Sequence, residues 1–102
     1  MSLYLLSRSP WERQDYKTVL SLSRAQADQG IEAAVLTIQD AVVAEKKAPP
    51  DYQELVRLAK EAGVRFYVLS ADLSARGLAP SASEPVDYDG FLELILKYKT
   101  VV

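Results

Sequence analysis

Four short segments hold the side chains best equipped for chemistry: Arg8-Ser9-Pro10-Trp11, Gln39-Asp40, Ser70-Ala71-Asp72 and Asp87-Tyr88. Together they offer one guanidinium, short polar groups, several carboxylates and two aromatic rings. Arg8, helped by helix N-terminal amides, would supply the positive potential an anion needs. Ser9, Gln39, Asp40, Ser70 and Asp72 would complete a polar-ligand site. A plainer role stands beside this one, because Ser9, Ser70 and Asp87 are also the residue types that cap helices. Asp40 and Asp72 could in principle act as acid and base or hold Mg²⁺, although nothing in their local sequence requires it. Only four glycines occur and none follows the first apolar run, so there is no phosphate-binding loop.

Composition narrows the chemistry further. The 102 residues contain no cysteine and no histidine. That removes thiolate nucleophiles, persulfide carriage, disulfides and Cys-built metal sites, together with the usual general base near neutral pH. No metal or cofactor is expected. With 49% hydrophobic and 25% charged residues, one core of roughly 13 Å radius of gyration is expected. A net charge of −2 argues against nucleic-acid binding through the whole surface. No apolar run approaches the ~20 residues needed to span a bilayer, and Met1–Ser7 lacks the basic start of a signal peptide. The expectation is a cytoplasmic protein, without direct DNA binding or membrane attachment, whose role is binding or scaffolding rather than catalysis.

The elements that must position these segments alternate between strand and helix. Leu3–Ser7, Ile31–Ile38 and Val64–Leu69 are apolar runs without strict alternation, as in strands buried on both faces of a parallel sheet. Ser9-Pro10-Trp11-Glu12 reads as a capping box, with Asp15 as a rival helix start. Tyr16, Val19, Leu20, Ser23 and Ala27 follow at helical spacing up to Gly30. Ala41–Lys47 fits a short helix, and Ala48-Pro49-Pro50 interrupts the chain. Asp51 would cap a helix that closes at Gly63. Ser70 would cap a short helix through Arg76, ended by Gly77 with Leu78 folding back. Ala79–Pro85 reads as a loop and Val86 as a very short fourth strand. Asp87 would cap a last helix carrying Phe91, Leu94, Ile95 and Tyr98 on one face, and Thr100–Val102 would either add an edge strand or fray. The alternation predicts a three-layer α/β/α sandwich around a mainly parallel sheet of four or five strands.

Six tyrosines and one tryptophan exceed what one small core needs. Trp11, Tyr52 and Tyr88 fall at element starts, where full burial is difficult, so they are the candidate interface residues of an oligomer. Glu45-Lys46-Lys47 and Lys97-Tyr98-Lys99 read as solvated surface; the sharper alternative has Lys97 and Lys99 touching an RNA or an acidic partner.

Several stretches resemble the DsrH/TusB family: Leu3-Tyr4-Leu5-Leu6-Ser7-Arg8-Ser9-Pro10, Gln39-Asp40-Ala41-Val42, Leu69 through Leu78, and Val86-Asp87-Tyr88-Asp89-Gly90-Phe91-Leu92. They run in order from end to end, which implies one DsrH/TusB-like domain over 1–102 with the DsrE-like fold. The resemblance implies a subunit of a sulfur-relay assembly with DsrE/TusD-like and DsrF/TusC-like partners, serving either tRNA wobble 2-thiouridine synthesis or sulfur oxidation. The family's principal sulfur-carrying cysteine lies on the DsrE/TusD-like partner, near the end of its third strand; that place falls at Leu69-Ser70 here. The family's turn often reads Gln-Asp-Gly-Val, and Ala41 stands where that glycine would be, disfavouring a positive φ there. The implied role is a non-catalytic, cysteine-free subunit. The alternative is a stand-alone homo-oligomer that binds a small anion or nucleotide at the strand ends.

Overall fold

The computed structural model describes residues 1–98 and 100–101. Its five strands are β1 (Ser2–Leu6), β2 (Ala33–Thr37), β3 (Arg65–Leu69), β4 (Glu84–Val86) and β5 (Thr100–Val101). They form one sheet in the order β4-β3-β2-β1-β5, and every neighbouring pair is parallel. The helices are α1 (Asp15–Asp28), α2 (Pro50–Ala62), α3 (Ser70–Ala75) and α4 (Tyr88–Lys97); Gln39–Glu45 is a 3₁₀ segment before α2.

Parallel strands exclude hairpins, so each is reached by a crossover, and crossovers are right-handed. From β1 to β4 the chain advances in one direction across the sheet, which keeps α1 and α2 on one face. The last connection returns from the β4 edge to the far side of β1, so α4 must cover the opposite face. The side chains alternate accordingly. Tyr4, Leu6, Ala33, Val35 and Phe66 pack with Tyr16 and Leu20 of α1 and with Tyr52 and Ala59 of α2. Leu3, Ala34, Leu36 and Tyr67 pack with Leu94 of α4 and with Tyr98. Val42, Val68 and Leu73 form a third cluster at the strand ends, with Leu78 against it. The expected α/β/α sandwich with a parallel sheet is present, and the Cα radius of gyration is 12.4 Å.

Several local expectations need correction. Ser9 does not cap α1. Its carbonyl accepts from the Glu12 and Arg13 N–H groups at 3.0 Å, and its hydroxyl oxygen accepts from the Trp11 N–H at 3.2 Å. Those bonds close an isolated turn, and the helix begins at the rival site, Asp15. Asp51 likewise lies inside the first turn of α2, behind Pro50 at its start. Its carboxylate accepts from the Tyr16 hydroxyl at 3.0 Å and pairs with Lys17 at 3.3 Å, which ties α2 to α1. Ser70 begins α3 but makes no cap; its hydroxyl donates to the Val86 carbonyl at 3.0 Å, between the ends of β3 and β4. The loop expected over Ala79–Pro85 gives up Glu84 and Pro85 to β4, an edge strand where the missing proline N–H removes no needed ladder bond.

Other local readings hold. Asp87 caps α4, accepting from the Gly90 N–H at 2.7 Å. Gly77 adopts a left-handed φ of 66°, and the Leu78 N–H reaches back to the Leu73 carbonyl at 2.9 Å, as a Schellman stop requires. Thr100 and Val101 pair with Ser2 and Leu3, while Val102 lies outside the described residues.

Leu36 is fully buried in the central strand β2 under α4. Leu36→Ala leaves a cavity the parallel sheet cannot easily collapse, and is expected to destabilise the fold by about 2–5 kcal/mol. Equilibrium urea unfolding monitored by Trp11 fluorescence measures it.

Candidate functional site

In open parallel sheets, ligands gather beyond the carboxyl ends of the strands, at the point where the winding reverses direction. Here that point lies beside β1, because β2, β3 and β4 build outward on one side and β5 arrives on the other. Among the described residues β5 pairs with Ser2 and Leu3 alone, and Leu5 and Leu6 have no strand neighbour on that side. A cavity of about 100 Å³ opens at the end of β1, lined by Leu5, Leu6, Ser7, Arg8, Arg13, Asp15, Tyr16 and Val19. Its floor is apolar strand and helix, and its mouth carries two guanidinium groups. Arg13 pairs with Asp15 at 3.3 Å, with both side chains half exposed. Arg8 is exposed and makes no ion pair among the described residues. The mouth can therefore present positive potential to a small anionic group.

The six strand-end residues singled out from the sequence do not form one cluster. Arg8 alone of them lines the cavity; Ser9 is spent in its turn, and Ser70 bridges to Val86. Gln39, Asp40 and Asp72 meet elsewhere, where the end of β2 approaches α3. Gln39 takes a left-handed backbone, φ 50°, and its N–H donates to Asp72 Oδ2 at 2.6 Å. Asp40 pairs with Arg76 at 2.8 Å. Each carboxylate thus holds a separate partner, Asp72 the Gln39 backbone and Asp40 the Arg76 guanidinium. Among the described residues no group of three or more His, Cys, Asp or Glu side chains could hold a metal. The left-handed residue of this turn is Gln39; Ala41 sits buried in the 3₁₀ segment, so the missing glycine carries no strain.

Two more assignments change. Tyr52 is buried, 8% exposed, and packs edge-to-face on Tyr16 with ring centroids 5.1 Å apart, so it belongs to the core and not to an open interface. Burial and the nearby Glu45 charge raise its hydroxyl pKa. Trp11 and Tyr88 are exposed, although the Trp11 indole N–H reaches the Lys47 carbonyl at 3.3 Å. Tyr98 is 3% exposed, and Lys97 pairs with Glu32 at 3.3 Å, which removes the aromatic from any RNA-facing patch there. Lys99 lies outside the described residues.

Sequence reading also passed over three working residues. Arg13 shares the β1 cavity with Arg8, and Arg76 neutralises Asp40. Glu45, read as part of a solvated run, anchors the loop before β4. Its carboxylate accepts from the Ser81 N–H (2.9 Å), the Ser81 hydroxyl (2.9 Å) and the Ala82 N–H (2.8 Å). Burial alone would raise the Glu45 pKa, but hydrogen bonds from Ser83, Ala82 and Ser81 outweigh it and hold the carboxyl below its ordinary value. These partners lie some 36 residues downstream, where no local spacing rule reaches.

The fold and this site define a small all-parallel α/β protein with an arginine-flanked cavity at the reversal point of its sheet. A family described as "DsrH like protein" matches residues 8–101. Protein TusB of Escherichia coli O139:H28 is 33% identical over 101 residues, covering 96% of this chain and 95% of that protein; Protein TusB of Shigella boydii serotype 18 matches to the same extent. The crystal structure of the ychN protein from E. coli superposes with a TM-score of 0.85 at 15% identity, covering 99% of this chain and 96% of the other, which shows a shared fold. The chain belongs to the DsrH-like family.

Two measurements test this arrangement. The folded-state pKa of Glu45 is lowered, so its contribution to stability is complete above the ordinary value of 4.5 and is lost as pH falls below it. Glu45→Gln is expected to remove that part of the acid-side fall in thermal stability, followed by calorimetry between pH 3 and pH 7. Asp72→Ala removes the acceptor that holds Gln39 in its left-handed turn, and a loss of about 1 kcal/mol is expected by urea unfolding.

Proposed function

We propose that this chain is a cysteine-free subunit of a sulfur-relay assembly of the DsrEFH/TusBCD kind, one that shapes the complex without carrying sulfur. The observation that carries this reading is its membership of the DsrH-like family over nearly its whole length, combined with the absence of cysteine from the entire sequence. At the place where a sulfur-carrying subunit would hold its thiol, Leu69 ends β3 and the Ser70 hydroxyl is already engaged with Val86. A hydroxyl bonded in this way links two strand ends; it offers no group on which a persulfide could form.

In this reading the catalytic thiols belong to DsrE/TusD-like and DsrF/TusC-like partners. The subunit contributes interface area and the positive field of Arg8 and Arg13, which favours the anionic form of a partner's persulfide near the β1 cavity. The setting is cytoplasmic sulfur transfer, in tRNA wobble-uridine thiolation or in sulfur oxidation. Among the described residues no helix is long and apolar enough to cross a membrane.

Co-expression with cysteine-bearing DsrE- and DsrF-like proteins should yield a stable complex by native mass spectrometry. After sulfur loading, persulfide mass should appear on the partners and never on this chain. Arg8→Ala should leave the complex intact and slow sulfur transfer by about tenfold, the effect of losing roughly 1.4 kcal/mol of electrostatic stabilisation. A chain that stays free with every partner tried would rule the reading out.

A further inference from the structure

The loop that joins α3 to β4 lies over a small cavity on the α2 side of the sheet. The cavity measures about 30 Å³; Thr37, Tyr52, Val56 and Phe66 line it from the body of the protein, and Ala82 and Ser83 from the loop. Both ends of the loop are fixed. Leu78 packs against Val42, Val68 and Leu73, and Glu84 begins β4. Between them Ala79, Pro80, Ser81 and Ala82 are exposed and Ser83 is half-buried, and none of the five joins an apolar cluster. Among the described residues, the hydrogen bonds from this stretch to the body of the protein run to two charged residues, Glu45 and Lys60. The Glu45 carboxylate accepts from the Ser81 and Ala82 N–H groups and from the Ser81 and Ser83 hydroxyls. Lys60 Nζ donates to the Ala82 carbonyl and also lies over the Phe66 ring, 5.7 Å from its centroid.

We propose that residues 79–83 form a strap that opens and closes over this cavity as a unit, held shut by the Glu45 carboxylate and the Lys60 ammonium. A segment with anchored ends and few buried apolar contacts opens locally, at a free energy well below that of unfolding the whole domain. Opening takes no apolar side chain of the strap out of the core. It does uncover what lies beneath: Phe66 is 7% exposed with the strap closed, Tyr52 8% and Thr37 4%. Charge, not packing, therefore sets the closed state. Hydrogen bonds to an ionised acceptor are roughly twice as strong as neutral ones, so removing the Glu45 charge shifts the balance toward the open form. The strap thus gates access to the α2 side of the sheet, away from the arginine-flanked cavity at β1. The gate belongs to this chain alone and stands apart from the sulfur-relay reading, since it requires no other protein.

The absence of cysteine makes a direct test possible, because one introduced thiol is the only thiol in the molecule. Thr37→Cys places it in the cavity wall with little change in volume. Its reaction with methyl methanethiosulfonate, followed by mass spectrometry across a urea series, reads the open form. Opening of the strap exposes little surface, so the rate at low urea should be nearly independent of urea, whereas labelling through global unfolding follows the full urea slope. Adding Glu45→Gln or Lys60→Met should raise the low-urea rate by at least about tenfold, still without a steep urea dependence. Hydrogen exchange in the unaltered chain gives a second reading. The Ser81 and Ala82 amides should exchange faster than those of the central strand β2, and Glu45→Gln should remove their remaining protection. A labelling rate that follows the global slope from zero urea overturns the proposal. So does labelling indifferent to both substitutions, or Ser81 and Ala82 amides that exchange only as slowly as β2.

Discussion

All five strands run the same way, and from that one constraint the rest of the molecule follows. Parallel pairing forbids hairpins, so every strand arrives by a crossover and both faces of the sheet must be covered. Right-handed crossovers place α1 and α2 together on the side where the chain advances, and leave α4 by itself where it returns. The return also decides where the sheet reverses its winding, beside β1, and among the described residues β5 pairs only with the start of β1 there. The arginine-flanked cavity and the thinly covered face under α4 are two consequences of one topological fact.

That asymmetry is visible in how the two faces of the sheet are closed. One side of the sheet is closed by two helices that are bonded to each other through Tyr16 and Asp51 and packed through Tyr16 and Tyr52. The other side is closed by a ten-residue helix with apolar residues left over. The exposed Tyr88, Leu92 and Leu96 all lie on the element that the topology leaves alone. The polar strand-end network has a different part. Gln39, Asp72, Asp40 and Arg76 fasten the 3₁₀ segment to α3, while Glu45 fastens the same segment to the loop before β4.

Much of the fold was legible in the residues. The apolar runs around Leu3, Val35 and Val68 lack the alternation of a half-exposed strand and so announced a buried parallel sheet. Gly63 and Gly77 marked helix ends because only glycine takes the left-handed conformation there without cost. Asp87 marked the start of α4. The errors came where the same residue type serves two purposes. Ser9, Ser70 and Asp51 all have the chemistry of an N-cap, yet each uses its side chain on another bond. Ser9 closes a turn, Ser70 joins two strand ends, and Asp51 joins two helices.

By itself, the sequence determined the class of the fold, the order of its elements and the exclusion of thiol and imidazole chemistry, because composition and periodicity are properties of the chain alone. Its four ordered motifs also resembled a family that the whole-length comparison then showed. Only the tertiary structure decided which polar groups are free to act. Among the described residues Arg8 makes no ion pair and lines a cavity with Arg13, while Asp40 and Asp72 are consumed by partners more than 30 residues away. Tyr52 proved to be core and Tyr88 surface, though both begin helices. Whether a side chain is available depends on what lies across the gap it faces, and crossovers bring together residues whose separation along the chain carries no local signal.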